Sequence, residues 1–257
     1  MPFHLLTHNI MKPIHACCIA LLCSALLWAS HTPLQAEDTP VPASWTEDFS
    51  DEAVFKKSWE KYDALVPPYQ DKTKRFWQVE DGVLRGNAYL GVHPVGIMHK
   101  INGTEVRLKL RFKLGTGAGF YANFNGRGNG SNTIDPQTDI RFRRASMHLN
   151  ASGLQIYDDR YVPPPEGVPY VKGMDLSKGN MSGVKLSLTE NEWHELVLDI
   201  VGKEVTVQID GKQVASHLTH TGDEAKMSTG ISVSNDSKNV TAEAWIDDVS
   251  FEPLKKG

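Results

Sequence analysis

The fold of this chain is decided by four segments between Trp193 and Phe251: WHELVLDIVG (193–202), KEVTVQIDGKQVASH (203–217), STGISVSND (228–236) and EAWIDDVSF (243–251). Apolar and polar residues alternate with a period of two in each segment, which is typical of β-strands with one buried face. Turn-forming residues separate the segments, and Asp210-Gly211 favours a tight primed hairpin turn. The stretch therefore predicts an antiparallel β-meander, whose side chains we interpret mainly as core and solvent-facing residues.

The segments upstream continue the pattern. FWQVEDGVLRG (76–86) predicts a hairpin that turns at Asp81-Gly82, and residues 53–62 predict a short helix or turn. EVRLKLRFKL (105–114) alternates apolar residues with a basic stripe. We interpret the stripe as a solvated face that discourages edge pairing, in preference to a surface that grips an acidic polysaccharide.

The first 36 residues differ in character from the rest. Lys12 is followed by an apolar run from Ile14 to Trp28 and by small and polar residues ending at Ala36, the pattern of a secretory signal peptide that starts at Met11. The run is shorter than the ~20 apolar residues of a spanning helix, so a membrane anchor is the less favoured alternative. We predict a signal peptide over 1–36, a linker over 37–46, a single domain over 47–254 and a secreted or periplasmic location.

Cysteine content and charge exclude several classes of protein. All three cysteines lie in the predicted leader, so the mature chain has neither a disulfide framework nor a thiol nucleophile. Loss of the leader removes one lysine and no acidic residue, which shifts the formal net charge by one from -4. This balance gives no reason to expect nucleic acid as a partner, nor a membrane surface once the leader is cleaved.

Three consecutive segments, GFYANFN (119–125), TDIRFRR (138–144) and LQIYDD (154–159), predict strands with one unusual polar face. Their apolar residues alternate with hydrogen-bonding and aromatic ones, whereas a face meant only for solvent carries more Lys, Glu and Thr. Amide, carboxylate, guanidinium and phenol groups suit the recognition of sugar hydroxyls. A face that is polar without binding a ligand is the open alternative. The long segment from Val162 to Gly183 predicts a loop at the rim of such a site.

Familiar catalytic and metal-binding motifs are missing. No strand carries glutamate, aspartate and glutamate at alternate positions, as in family-16 glycoside hydrolases, and alternation places Asp247 and Asp248 on opposite faces. There is no Gly-x-Ser-x-Gly elbow and no HExxH motif. His217 and His220 are expected to be solvated. We interpret Asp48, Asp247 and Asp248 as turn and strand-end aspartates, and a structural calcium ion held by these three carboxylates is the alternative.

Two resemblances extend this interpretation. The closing meander, with its Trp-His strand, Asp-Gly-Lys, Gly-Ile strand and Ile-Asp-Asp-Val strand, resembles the last strands of concanavalin A-like jelly rolls. Phe49-Ser-Asp, the FWQVEDGVLRG hairpin, EVRLKLRFKL, GAGFYANF and the meander occur in the order that resembles the secreted 3-keto-disaccharide hydrolase family. The resemblance implies an all-β jelly-roll sandwich of two antiparallel sheets and a glycoside or polysaccharide as the partner.

The second resemblance also implies a chemistry. A ketone at carbon 3 of a glycoside acidifies the proton at carbon 2, so that a base, an enolate stabiliser and a proton donor suffice, with no cofactor. The candidate catalytic residues, drawn from the polar face, are the bases His148, Asp158 and Asp159 and the oxyanion stabilisers Arg141 and Arg143. The candidate substrate-binding residues are Tyr121, Asn123, Asp139, Gln155 and Tyr157. A noncatalytic lectin-like module and a cell-envelope scaffold domain remain alternatives.

Overall fold

The computed structural model describes residues 44–62, 77–90, 96–125, 142–161, 176–219, 222–237 and 241–254. One helix, α1, spans Glu52–Ser58. The strands are β1 (Trp45–Glu47), β2 (Trp59–Tyr62), β3 (Trp77–Glu80), β4 (Val83–Tyr89), β5 (Gly96–Gly103), β6 (Val106–Leu114), β7 (Ala118–Asn125), β8 (Phe142–Asn150), β9 (Gly153–Tyr161), β10 (Leu176–Lys185), β11 (Trp193–Val201), β12 (Glu204–Ile209), β13 (Lys212–Leu218), β14 (Lys226–Asn235) and β15 (Thr241–Pro253).

These strands form two antiparallel sheets. The first sheet has the order β13-β12-β11-β6-β15-β4-β3, with β1 paired to β15. The second sheet has the order β10-β9-β8-β7-β14-β5-β2. The prediction of an all-β sandwich of two antiparallel sheets is therefore confirmed. The pairing of β1 also carries the first sheet back to Trp45, two residues before the predicted start of the domain.

The core lies between the two sheets, where the apolar faces meet. Alternate residues of β6 from Val106 to Leu114 are fully buried, which confirms the alternation predicted for that strand. Phe112 of the first sheet contacts Phe120 of the second, with ring centroids 5.2 Å apart. Burial of one such side chain contributes about 1.5–3 kcal/mol, so the packed faces hold the sandwich together without disulfides.

Both predicted Asp-Gly turns are confirmed. Asp81 and Gly82 have φ angles of 53° and 75°, and Asp210 and Gly211 have φ angles of 51° and 75°. Positive φ at both central residues is the requirement of the turn whose twist matches that of the flanking strands. Aspartate tolerates this region better than most residues, and glycine enters it without steric cost.

The segment predicted as a short helix or turn divides into two elements. The Asp51 carboxylate accepts a hydrogen bond from the Ala53 amide at 2.8 Å and so caps α1. Phe55 anchors the helix in the core against Phe49, with ring centroids 5.9 Å apart. The chain then becomes extended at Trp59 and enters β2.

The expectation that Asp247 and Asp248 lie on opposite faces is wrong. The register of β15 against β6 shifts between Asp247 and Ser250, and Asp248 has a φ angle of 48°. This bulge interrupts the simple alternation of side chains along the strand. As a result Arg111 Nη1 lies 3.5 Å from Asp247 Oδ2 and 3.2 Å from Asp248 Oδ2.

Two further expectations need correction. His217 is only 5% exposed, and its Nδ1 lies 2.9 Å from Ser182 Oγ, so it is a buried residue that contacts β10. The loop predicted over 162–183 is wrong for residues 176–183, which belong to β10. His220, the predicted leader and residues 162–175 lie outside the described residues. Within the described ranges, no helix has the length and hydropathy to cross a bilayer.

Candidate active site

The outward side of the second sheet carries the polar face predicted from sequence. Tyr121 of β7 is paired with His148 of β8, which is paired in turn with Gln155 of β9. The next row along the same strands brings together Asn123, Ser146 and Tyr157. Five of the predicted residues, Tyr121, Asn123, His148, Gln155 and Tyr157, therefore occupy neighbouring positions in two rows.

His148 is the centre of this face. The Tyr121 ring stacks on the imidazole, with centroids 4.3 Å apart and an angle of 19° between the ring planes. His148 Nε2 lies 3.1 Å from Asp236 Oδ2 and 3.0 Å from Ser234 Oγ. Asn150 Nδ2 donates a hydrogen bond of 2.8 Å to the same oxygen of Asp236. The imidazole is thus fixed in orientation by a ring on one face and a carboxylate at one nitrogen.

Asp236 reaches His148 because β14 runs beside β7. Ser234 is paired with Gly119 of β7, and Asp236 follows immediately after the strand ends. The Asp236 amide donates to the Gly117 carbonyl at 3.0 Å, which holds the turn against the start of β7. This backbone hydrogen bond therefore fixes the position of the Asp236 carboxylate.

The electrostatics favour an ionised Asp236. Burial raises its pKa, but hydrogen bonds from His148 and Asn150 outweigh that effect and hold the pKa below the usual value. An ionised carboxylate only accepts hydrogen bonds, so the neutral tautomer of His148 that suits this contact carries its N–H at Nε2 and its lone pair at Nδ1. In that tautomer Nδ1 is the nitrogen available as an acceptor.

The arrangement is not a serine nucleophile triad. In such a triad the carboxylate binds one imidazole nitrogen and the serine hydroxyl contacts the other. Here Ser234 and Asp236 both approach Nε2, and Ser234 is only 7% exposed. The site is therefore suited to proton transfer by histidine, not to attack by Ser234.

A cavity of about 440 Å³ opens beside His148, within the range of small-molecule sites. Asp236 and Asn150 form one part of its lining, and Gln155 and Lys185 form another. Gln155 and Lys185 are exposed, so an amide and a cation are presented to a ligand in the cavity. The cavity thus combines a base, a cation and hydrogen-bonding groups.

The remaining predicted catalytic and binding residues are placed only in part. Asp139 and Arg141 lie outside the described residues, as do the side chains of Arg143, Asp158 and Asp159. The backbone pairs position 143 with 160, 145 with 158 and 144 with 159. Position 144, and not 143, is in phase along β8 with 146 and 148.

Four residues of the site were not predicted from the sequence. They are Asn150, Lys185, Ser234 and Asp236. A signal was available in β14, where alternate positions carry Ser228, Gly230, Ser232, Ser234 and then Asp236. Small polar residues at a period of two mark a strand that leaves room above a sheet face. The meander therefore contributes to the site as well as to the core.

The three aspartates predicted as calcium ligands lie near one another, away from the His148 cavity. Asp48 and Asp248 line a cavity of about 430 Å³. Burial raises the pKa of Asp247, and the charges of Asp248 and Asp48 add to that effect. Among the described residues, no group of three or more His, Cys, Asp or Glu side chains is arranged to hold a metal ion. Calcium binding remains a prediction from the sequence.

Two antiparallel sheets of this order, packed on a shared core, form a concanavalin A-like jelly roll. Solved structures of the same fold include the β-glucanase of Bacillus licheniformis, with a TM-score of 0.57, 11% identity, and coverage of 83% of this chain and 99% of that chain. The κ-carrageenase of Pseudoalteromonas carrageenovora, bound to an oligotetrasaccharide of κ-carrageenan, gives a TM-score of 0.55, 13% identity, and coverage of 80% and 92%.

A prokaryotic β-1,3-1,4-glucanase from a mouse hindgut metagenome gives a TM-score of 0.55, 11% identity, and coverage of 83% of this chain and 100% of that chain. No family model and no curated protein matches this sequence. At these identities the likeness establishes the fold alone. The resemblance to the 3-keto-disaccharide hydrolase family stays a prediction.

Proposed function

We propose that the protein is a carbohydrate-active enzyme that cleaves 3-keto-glycosides by elimination and hydration in the His148 cavity. The observation that carries the proposal is the contact of 3.1 Å between His148 Nε2 and Asp236 Oδ2, with Tyr121 stacked on the imidazole. The fold supports a carbohydrate substrate, since the similar structures include glucanases and a carrageenase with bound oligosaccharide.

The reaction balances without a redox partner. His148 Nδ1 removes the proton at carbon 2 of the 3-keto sugar, and the electron pair moves into the enolate of the carbon 3 ketone. The enolate re-forms the ketone as the bond from carbon 1 to the glycosidic oxygen breaks, and that oxygen takes a proton to leave as an alcohol. Water then adds to carbon 1 of the resulting enone while carbon 2 regains a proton.

The described residues divide these tasks. Asp236 holds the proton of His148 on Nε2 and stabilises the imidazolium that forms when Nδ1 is protonated. Lys185 and Gln155 line the cavity and supply a cation and an amide for the enolate oxygen. Tyr121 fixes the ring plane and offers a phenol near the sugar. Arg141 lies outside the described residues and position 143 is out of phase with 148 along β8, so no task is assigned to either.

A base and a cation suit elimination better than direct hydrolysis by two carboxylates. Glycoside hydrolysis by the usual route needs two carboxyl groups on either side of the glycosidic bond. Among the described residues that line this cavity, Asp236 is the only carboxylate, and it is engaged with His148 and Asn150. The geometry therefore favours a substrate whose ketone already activates the neighbouring proton.

Proton abstraction provides the test. The full chain is incubated in deuterium oxide with a chromogenic 3-keto-glucoside, and deuterium at carbon 2 and release of the chromophore are both measured. His148→Asn should lower both rates by about 100-fold or more, the usual contribution of a positioned base. His194→Asn is the matched control, because His194 Nδ1 contacts Asp210 Oδ2 at 2.8 Å outside this cavity.

The outcomes separate the alternatives. Turnover by the parent protein that is unchanged in His148→Asn would show that another base is used. No turnover of any 3-keto-glycoside, together with binding of the sugar detected by NMR, would support the noncatalytic lectin-like module. Absence of both turnover and binding would leave the scaffold domain as the remaining function.

A further inference from the structure

The outer face of the first sheet carries a lysine between two tryptophans. Lys113 of β6 is paired in register with Trp193 of β11 on one side and with Trp245 of β15 on the other. Lys113 Nζ lies 5.3 Å from the Trp193 ring centroid and 4.4 Å from the Trp245 ring centroid. All three residues are partly exposed to solvent.

The other basic groups of this face are already neutralised. Arg107 contacts Asp199 at 2.7 Å, and Lys109 contacts Glu195 at 2.8 Å. Arg111 contacts Asp248 at 3.2 Å. Arg85 contacts both Glu80 and Glu243. Lys113 lies on the same face of the sheet as these four cations. Among the described residues, it is the one of the five with no carboxylate within 4.0 Å.

We propose that Trp193, Lys113 and Trp245 form a surface site that binds an anionic polysaccharide. The carboxylate of a uronate or the sulfate of a sulfated sugar pairs with Lys113, and the flanking sugar rings pack against the parts of the two indoles that the cations leave uncovered. β11 and β15 lie on either side of β6, so the indoles are two strand spacings apart, about 10 Å. That separation is comparable with the length of a disaccharide unit.

The charge pattern selects an acidic chain over a neutral one. The two indole faces hold the ammonium group in place by cation–π attraction, so little further ordering is needed when an anion arrives. Arg111 also contacts the Trp193 ring, 5.0 Å from its centroid, which keeps that indole in position. The site lies on the first sheet, whereas the His148 cavity lies on the second, so the inference is independent of the proposed reaction.

Binding of defined polymers tests the inference. The full chain is titrated at low ionic strength with polygalacturonate, dextran sulfate and neutral dextran. We expect both acidic polymers to bind and neutral dextran to bind weakly or not at all. Trp193→Ala and Trp245→Ala should each weaken acidic binding by about 5- to 10-fold. Lys113→Met should remove the preference for acidic over neutral polymer. Added salt should lower the affinity of the parent protein for both acidic polymers.

Lys109→Met is the matched control, because it removes the same charge from the same strand and face but breaks a pair with Glu195. It should retain most of the affinity. Equal losses in Lys109→Met and Lys113→Met would overturn the proposal, since net charge alone would then explain binding. Absence of binding to either acidic polymer would overturn it as well. Melting curves for every variant, together with Trp193→Phe and Trp245→Phe, distinguish loss of a binding contact from loss of folding. His148→Asn should bind the acidic polymers with the same affinity as the parent.

Discussion

Gly119 lies so close to Asp236 that a side chain at this position would collide with the carboxylate. A Cβ built on Gly119 falls 2.7 Å from Asp236 Oδ2, 2.7 Å from Ser234 Oγ and 2.8 Å from the Leu149 carbonyl oxygen. The carbonyl belongs to β8 and has little freedom to move. Glycine at position 119 is therefore what allows Asp236 to meet His148.

Gly119→Ala should consequently impair the site while the domain stays folded. The added methyl group displaces Asp236 or Ser234 and loosens the orientation of His148. Since small misplacements of catalytic groups are costly, we expect turnover of a 3-keto-glycoside to fall by about 10- to 100-fold. Gly183→Ala is the control at the same cavity, because its Cβ would meet only ordinary contacts at 3.7 and 3.9 Å. Equal activity of the two variants would contradict the role assigned to Gly119.

Asp236 should also contribute to stability in a pH-dependent way. Its pKa in the folded protein is held below the unfolded value by His148 and Asn150, despite the opposing effect of burial. A carboxylate of this kind stabilises the fold above the unfolded pKa, about 3.9, and loses that contribution as pH falls through the folded pKa. Urea denaturation should therefore show Asp236→Asn to be less stable than the parent at pH 7. The difference should shrink toward pH 2, and a constant difference would refute the linkage.

Lys226 predicts a second rise of stability with pH, in the alkaline range. Burial lowers its pKa to about 8, although its ammonium group donates to the carbonyl oxygens of Thr104 and Gly222. A depressed lysine pKa makes folding more favourable as pH rises from about 8 toward the unfolded value near 10.4. Measured unfolding free energies should show this rise in the parent and in Lys203→Met, whose lysine is exposed. The rise should be absent in Lys226→Met.

The Asp210-Gly211 turn gives a purely conformational prediction. Gly211 has a φ angle of 75°, and a Cβ there would meet no atom within 4 Å. Gly211→Ala therefore adds no clash and should destabilise the protein by about 1 kcal/mol through its left-handed backbone alone. Thermal or urea unfolding measures the loss in unfolding free energy. Gly82→Ala, at the equivalent turn, should lower the unfolding free energy by a similar amount. A negligible change in both would show that the turn geometry is not a constraint.

Local signals in the sequence predicted most of the architecture. The alternation from Val106 to Leu114 identified a half-buried strand, and Asp81-Gly82 and Asp210-Gly211 identified two hairpins. In each case the information lies within a few neighbouring residues, because side-chain direction and turn geometry depend on local backbone angles. The same alternation placed Tyr121 and Asn123 on one face of β7 and Gln155 and Tyr157 on one face of β9, but the phase predicted for residues 138–144 would have put position 148 on the opposite face.

Long-range and irregular features were less predictable. Asp236 is 86 residues from Asn150 along the sequence and reaches Asn150 and His148 because β14 pairs with β7. The bulge at Asp248 breaks the alternation that separates the faces of β15. His217 is buried because β10 packs over its strand. Each depends on the position of another element, which no local pattern specifies.

The order of strands also has a consequence for biogenesis. β14 inserts between β5 and β7, and β15 inserts between β4 and β6, so the two final strands complete both sheets. A growing chain that ends before Lys226 therefore has two incomplete sheets with open edges, together with a His148 that lacks its carboxylate partner. Pairings at such large sequence separation form slowly, because the ends of long loops must meet first. Until β14 and β15 have been synthesised, the nascent chain therefore exposes unpaired strand edges that need protection from aggregation.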